Sequence, residues 1–78
     1  MIVVNQSKDC FVNTQEVLCI TIRGIGTKAF VVADLGNKEI NLGQYSKREN
    51  AISIVKRIIE MIFAEGIIFY MPEDNENG

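Results

Sequence analysis

The side chains best suited to chemistry in this chain are two cysteines, one strand aspartate and a glycine-rich loop. Cys10 and Cys19 are nine residues apart, which is not the C-x-x-C spacing of a redox or zinc site. If Thr14-Gln15 formed a two-residue turn, the two thiols would lie opposite each other across a hairpin, and a disulfide could form. The alternative is two reduced thiols, buried as small hydrophobic side chains in a reducing cytosol.

The chain contains no histidine, so it lacks the commonest general base and metal ligand. A serine or cysteine nucleophile would have no imidazole to activate it. Asp34 is the only acid in the interior of a predicted strand, and no second carboxylate is predicted beside it, so we interpret it as a solvated aspartate. We therefore expect no catalytic residue, no cofactor and no bound metal, and we predict that the protein is not an enzyme.

The loop from Arg23 to Lys28 reads RGIGTK and superficially resembles a phosphate loop. Its spacing differs from G-x-x-x-x-G-K-[ST], and a strand follows it where a phosphate loop has a helix. The glycines are typical of a hairpin turn, with Ile25 at the tip as a candidate contact residue. A nucleotide held at a subunit boundary by Arg23, Lys28 or Lys38 is the alternative function for this region.

The charge of the chain argues against nucleic acid as a partner. The formal net charge is −2, whereas nucleic-acid-binding domains present a strongly basic face. The basic side chains of the predicted helix scatter in four directions, and Glu49 and Glu60 share its polar face, which is typical of a solvated surface. The basic residues are Lys47, Arg48, Lys56 and Arg57. A nucleic-acid-binding accessory protein remains a further alternative, but we do not expect it.

The elements that must position these residues are short strands and one helix. Hydrophobic residues make up 47% of the 78 residues, and no apolar run is long enough to span a membrane. We predict an α+β fold in which one long helix packs on a bent, mainly antiparallel sheet of five or six strands. The predicted strands are 1–5, 10–13, 17–23, 29–35, 39–42 and a final strand at 67–71. The final strand is expected to be central or covered on both faces. It is expected to run parallel to 39–42 through a right-handed crossover, or otherwise to pair with 1–5. Residues 1–72 form the predicted domain, and residues 73–78 a disordered acidic tail.

The helix is predicted over residues 46–65. Ser46 and Glu49 match the S-x-x-E capping box, and Gly66 is the expected left-handed residue at its end. A seven-residue apolar stripe is expected to face the sheet: Ala51, Ile52, Val55, Ile58, Ile59, Ile62 and Phe63. Ile54 and Met61 lie to one side of that stripe and, with Ile58, widen the apolar arc beyond what a core-facing helix needs. This arc indicates either a helix sunk into a curved sheet or an interface with a second subunit, and we prefer the interface. The candidate interface residues are therefore Ile54, Ile58, Met61 and Ile25.

Four short blocks of the chain carry a resemblance to known proteins. They are Ile2-Val3-Val4-Asn5, residues 11–17 (FVNTQEV), residues 42–46 (LGQYS) and Tyr70-Met71-Pro72-Glu73. Together they resemble a group of small, uncharacterised proteins of low-GC Gram-positive bacteria and their phages and prophages. The resemblance implies a mobile-element setting, in which small non-enzymatic proteins often bind and modulate a host factor.

The predicted function follows from these observations. We expect a cytoplasmic, non-catalytic interaction protein of phage or prophage type, which forms a homodimer and binds a host protein. The N-terminus has neither the basic start nor the apolar length of a signal peptide, and we expect no membrane association.

Overall fold

Residues 1–74 of the computed structural model fold into six strands and one α-helix. In chain order these are β1 (Ile2–Val4), β2 (Phe11–Asn13), β3 (Cys19–Ile25), β4 (Lys28–Asp34), β5 (Glu39–Tyr45), α1 (Arg48–Phe63) and β6 (Ile68–Tyr70). A short 3-10 helix, Thr14–Glu16, joins β2 to β3. The predicted α+β class is confirmed. The strands divide into two three-stranded sheets, where the sequence predicted one bent sheet.

The larger sheet is an antiparallel meander of the three seven-residue strands, in the order β3-β4-β5. Gly26-Thr27 forms the two-residue turn between β3 and β4, and Gly26 has the positive φ of 63° that such a turn requires. The predicted hairpin over the RGIGTK segment is therefore confirmed. β5 continues to Tyr45, three residues beyond the predicted end, because a bulge opposite Val31 and Val32 lets it keep pairing with β4.

The small sheet contains the three-residue strands in the order β2-β1-β6. β1 pairs antiparallel with β2 and parallel with β6, so the second of the two predicted partners for the final strand is the observed one. The expectation that the final strand is covered on both faces is wrong. β6 lies at a sheet edge: Phe69 is buried on its inner face, but Ile68 and Tyr70 are exposed on the other, where nothing in residues 1–74 packs.

The hydrophobic core lies between α1 and the inner faces of both sheets. Alternation along the strands sends one set of side chains inward, and these are buried: Val3, Val12, Ala29, Val31, Ala33, Leu42, Tyr45 and Phe69. α1 packs against all three strands of the larger sheet. Ala51, Ile54 and Ile58 are its buried residues.

α1 begins two residues later than predicted, and the capping box does not form. Lys47 occupies the N-cap position and makes no side-chain cap hydrogen bond. The Ser46 side chain is directed elsewhere, because its backbone N–H and its hydroxyl both donate to the carboxylate of Asp74, at 3.1 and 3.4 Å. The Ser46 hydroxyl therefore bonds to the C-terminal segment, whereas the S-x-x-E pattern predicted that it would cap the helix.

The end of α1 has the hydrogen bonds of a Schellman motif. The Gly66 N–H donates to the Met61 carbonyl at 2.9 Å, and the Glu65 N–H donates to the Ile62 carbonyl at 3.0 Å. The left-handed residue is Glu65, with a φ of 58°, and not Gly66 as predicted. An added Cβ at position 66 would meet the flexible Met61 side chain, which would have to move to admit it.

The helix is rotated relative to the predicted stripe by roughly a quarter of a turn. Ile54 faces the core, and Met61 is half-buried against it, whereas Ile59 and Ile62 are half-exposed and Phe63 is almost fully exposed. The cause is the position of β6, which places the buried Phe69 ring beside Met61 and Arg57. One flank of the helix is thereby covered by the small sheet, and the opposite flank faces the edge of β3.

The segment after β6 connects the two sheets. The Met71 N–H donates to the Val4 carbonyl at 3.0 Å, and the Pro72 carbonyl accepts hydrogen bonds from the Tyr45 hydroxyl at 2.8 Å and the Gln6 amide at 3.2 Å. Asp74, which lies in the predicted tail, contacts Ser46. The rest of the predicted disordered tail, residues 75–78, lies outside the described residues.

Candidate interaction surfaces

The four predicted interface residues do not share a surface. Ile54 and Ile58 retain only 6% and 2% of their accessible surface, and Met61 packs against the same core. Only Ile25 is on the surface, 69% exposed beside the β3–β4 turn. The choice of Ile54 and Ile58 is therefore corrected, because one protomer encloses both, and Met61 is half-buried beside them under β6.

The open flank of α1 forms an apolar groove with the edge of β3. Its volume is about 260 Å³. Val17 and Ile20 form the strand side, and Val55, Ile59 and Ile62 form the helix side. Ile59 and Ile62 each remain 47% exposed. The lining contains no charged residue, so the groove suits apolar side chains.

A second apolar surface is the outer face of the small sheet, here called the small-sheet face. The strand register aligns Phe11, Val4 and Tyr70 in one row across the three strands, and Ile2 and Ile68 in the next. Phe11 is 65% and Tyr70 59% exposed. Large aromatic side chains with exposed apolar neighbours are typical of protein–protein contacts.

On the outer face of the larger sheet, one of the basic residues considered for the alternative nucleotide site has an acidic partner. Arg23 makes an ion pair with Glu39, and the hydrogen bond and charge of that carboxylate raise the pKa of the Arg23 guanidinium. Lys28 begins β4, whereas Lys38 lies in the turn after β4 ends at Asp34. The two lysines are thus at opposite ends of the strand, and the structure does not bring the three basic residues together.

For the cysteines, the reduced alternative agrees with the structure and the expected burial is wrong. Cys10 and Cys19 are free thiols, and both are exposed where burial was expected. The hairpin that would bring them together is absent, because Thr14–Glu16 is a 3-10 helix that leads from the small sheet into the larger one. Within residues 1–74, no group of three or more Cys, Asp or Glu side chains is placed to hold a metal ion.

Tyr45 is a buried residue whose polar group has a role that was not predicted from the sequence. Its burial, together with the nearby carboxylates of Asp74 and Glu73, raises the pKa of the phenol to about 12. The hydroxyl donates to the Pro72 carbonyl at 2.8 Å. This residue therefore links the end of β5 to the C-terminal segment, a role that depends on a contact between distant residues and leaves no local signal.

Comparisons with protein-family models, with curated proteins and with solved structures found no match to this chain. No helix among the described residues has both the length and the apolar character that a membrane span needs. What the chain does must therefore be argued from its own surfaces.

Proposed function

We propose that this chain is a non-catalytic interaction protein. It self-associates, and it binds a different protein through the small-sheet face. The observation that carries the proposal is the exposure of Phe11 and Tyr70 in one row on that face. Contiguous exposed apolar patches larger than a few hundred Å² are uncommon in monomeric proteins and typically mark interaction sites. The absence of histidine from the sequence also favours binding over acid–base catalysis.

The composition of the face indicates what kind of partner fits. Its five side chains carry no formal charge, so there is no basic footprint for a phosphate backbone. Two aromatic rings beside aliphatic side chains are typical of the centre of a protein–protein interface. A host protein, in the phage or prophage setting that the resemblance implies, is the partner we propose.

The test is affinity capture with matched variants. The wild-type chain, the double variant Phe11→Lys/Tyr70→Lys, and the control Gln15→Lys/Ser53→Lys are immobilised and exposed to a lysate of a low-GC Gram-positive bacterium. All four positions are exposed, so the variants should keep the wild-type melting temperature. We expect a protein that the wild type and the control both retain and that the face variant loses. Capture that does not depend on the face, or no capture at all, would refute partner binding through this surface.

A further inference from the structure

We infer that the β3 edge is the surface of self-association, where it pairs antiparallel with the β3 edge of a second copy. The pairing would join two larger sheets into one six-stranded sheet. This inference rests on the proposed self-association and names the residues that perform it. It is independent of the small-sheet face.

The backbone of β3 provides the first argument. Ile25 and Lys28 flank the two-residue turn and pair with each other, so hydrogen-bonded and non-hydrogen-bonded pairs alternate from that point along the hairpin. This alternation directs the backbone groups of Ile20, Ile22 and Gly24 away from β4. Within residues 1–74, no strand lies against that side. An edge of seven residues with free N–H and C=O groups is a template for another strand.

The side chains of β3 favour a second copy in one particular register. If the two-fold axis passes beside Ile22, then Ile22 pairs with its own equivalent and Ile20 pairs with Gly24 of the other copy. Every β3 residue whose backbone groups point away from β4 is then paired with a residue of the second copy. In this register Arg23 lies opposite Thr21 of the second copy, so no like charges oppose each other. The register centred on Arg23 would place two guanidinium groups together and is disfavoured.

The groove beside the edge provides a second, independent argument. Three strand spacings of ~4.8 Å would separate the two copies of β4, so two helices centred above them would lie about 14 Å apart. A helix with its side chains is about 10–12 Å wide. Because that width already includes the side chains, the facing Ile59 and Ile62 side chains of the two copies would be separated by only about 2–4 Å. A short peptide could occupy the strand edge but would leave these isoleucines half-exposed, whereas a second copy covers both.

The size of the seam sets the expected affinity. Seven residues make an edge about 23 Å long, and a sheet with a helix above it is about 15–20 Å deep. The projected area is roughly 400 Å² per protomer, which places the contact among small, weak interfaces. We therefore expect a dimer that dissociates at concentrations on the order of micromolar.

The experiment is sedimentation velocity of the full chain from about 1 µM to about 1 mM, a range that brackets this affinity. Two variants disrupt the seam by different means. Ile59→Lys places a charge in the groove, with Ser53→Lys on the opposite flank as its control. Gly24→Pro removes an outward N–H donor without removing a side chain, with Gly24→Ala as its control. Melting temperatures confirm that each variant is folded.

We expect the wild type and both controls to dimerise, and Ile59→Lys and Gly24→Pro to bind at least about tenfold more weakly. The amides of Ile20 and Ile22 should also exchange with solvent more slowly as wild-type concentration rises. A dimer that both disruptive variants preserve would overturn the β3 assignment while leaving self-association intact. A wild type that stays at 8.8 kDa throughout would overturn both.

Discussion

The two outer edges of the larger sheet have equal length but opposite surroundings. At β5, the backbone N–H of Gln6 donates to the Leu42 carbonyl at 2.7 Å. The Gln6 side chain continues the pairing: its amide N–H donates to the Gln44 carbonyl at 3.2 Å, and its oxygen accepts from the Gln44 N–H at 3.0 Å. At β3, no strand or side-chain amide among the described residues does the same.

The comparison shows that a single side chain can satisfy backbone groups at a strand edge. A primary amide has the same donor and acceptor as a peptide group, so one glutamine can act as a short segment of strand. The Pro72 carbonyl accepts hydrogen bonds from both the Gln6 amide and the Tyr45 hydroxyl, so Tyr45 and the C-terminal segment hold Gln6 in position. β3 has no equivalent, and it is the edge that carries the adjacent apolar groove. The β5 edge is therefore closed within the protomer, whereas the β3 edge is available for association.

Substitution of Tyr45, which supports the closed β5 edge, should have the largest effect on the stability of the protein. Tyr45→Ala deletes a buried aromatic ring and is expected to lower the free energy of unfolding by about 3–5 kcal/mol. Tyr45→Phe keeps the ring and loses only the bond to Pro72, so we expect a cost of about 1 kcal/mol. Urea denaturation of both variants measures the difference. Equal losses would show that the hydroxyl, and not the ring, holds the edge.

Alkaline pH should weaken the closed edge through the same residue. The pKa of Tyr45 is raised to about 12 in the folded chain, against about 10 for an unfolded tyrosine. The neutral phenol therefore contributes stability that is complete below pH ~10 and is lost as the pH rises toward 12, on the order of 2–3 kcal/mol. Absorbance titration of the tyrosinate in a Tyr70→Phe variant isolates Tyr45. A midpoint near 10 in the folded state would contradict its burial.

Opening the closed edge directly should cost less. Gln6→Ala removes the side-chain bonds to Gln44 and Pro72 at a partly exposed site, and we expect a loss of about 1–2 kcal/mol. Gln6→Glu keeps the acceptor for the Gln44 N–H but turns a carboxylate oxygen toward the Gln44 and Pro72 carbonyls, so it should cost at least as much as Gln6→Ala. Hydrogen exchange of the Gln44 amide reports the opening. If Gln6→Ala leaves that exchange rate unchanged, Gln6 does not close the edge.

Acid should produce the smallest effect, through the loop that positions Gln6. The buried Asn5 side chain accepts from the Asp9 and Cys10 N–H groups and donates to the Asp9 carboxylate at 2.8 Å. Hydrogen bonds from Asn5 and then Ser7 lower the pKa of Asp9. A lowered folded-state pKa gives stability that is present above the unfolded value of ~3.9 and is lost as pH falls through the folded value. Comparison of the wild type with Asp9→Asn by acid denaturation tests this, and identical profiles would contradict it.

The predictions from sequence succeeded where the signal is local. Alternating apolar residues found all six strands to within a few positions, and glycine located the turn at Gly26. They failed where two distant segments compete for one group. Ser46 has the sequence of a helix cap, but the carboxylate of Asp74 occupies it. Ile54 and Ile59 are equally apolar in sequence, and only the position of β6 decides that the first is buried and the second half-exposed.

The amino-acid sequence alone determined the α+β class, the strands and the lack of an imidazole for acid–base chemistry, because these depend on residue type and short-range periodicity. The tertiary structure decided which flank of α1 is covered, which edge of the larger sheet is closed, and which apolar side chains reach the surface. Those outcomes depend on contacts between residues far apart in the chain, such as Gln6 with Gln44 and Tyr45 with Pro72. An apolar stripe that is wider than one sheet can cover predicts that another element packs on the helix. Which element does so depends on tertiary contacts.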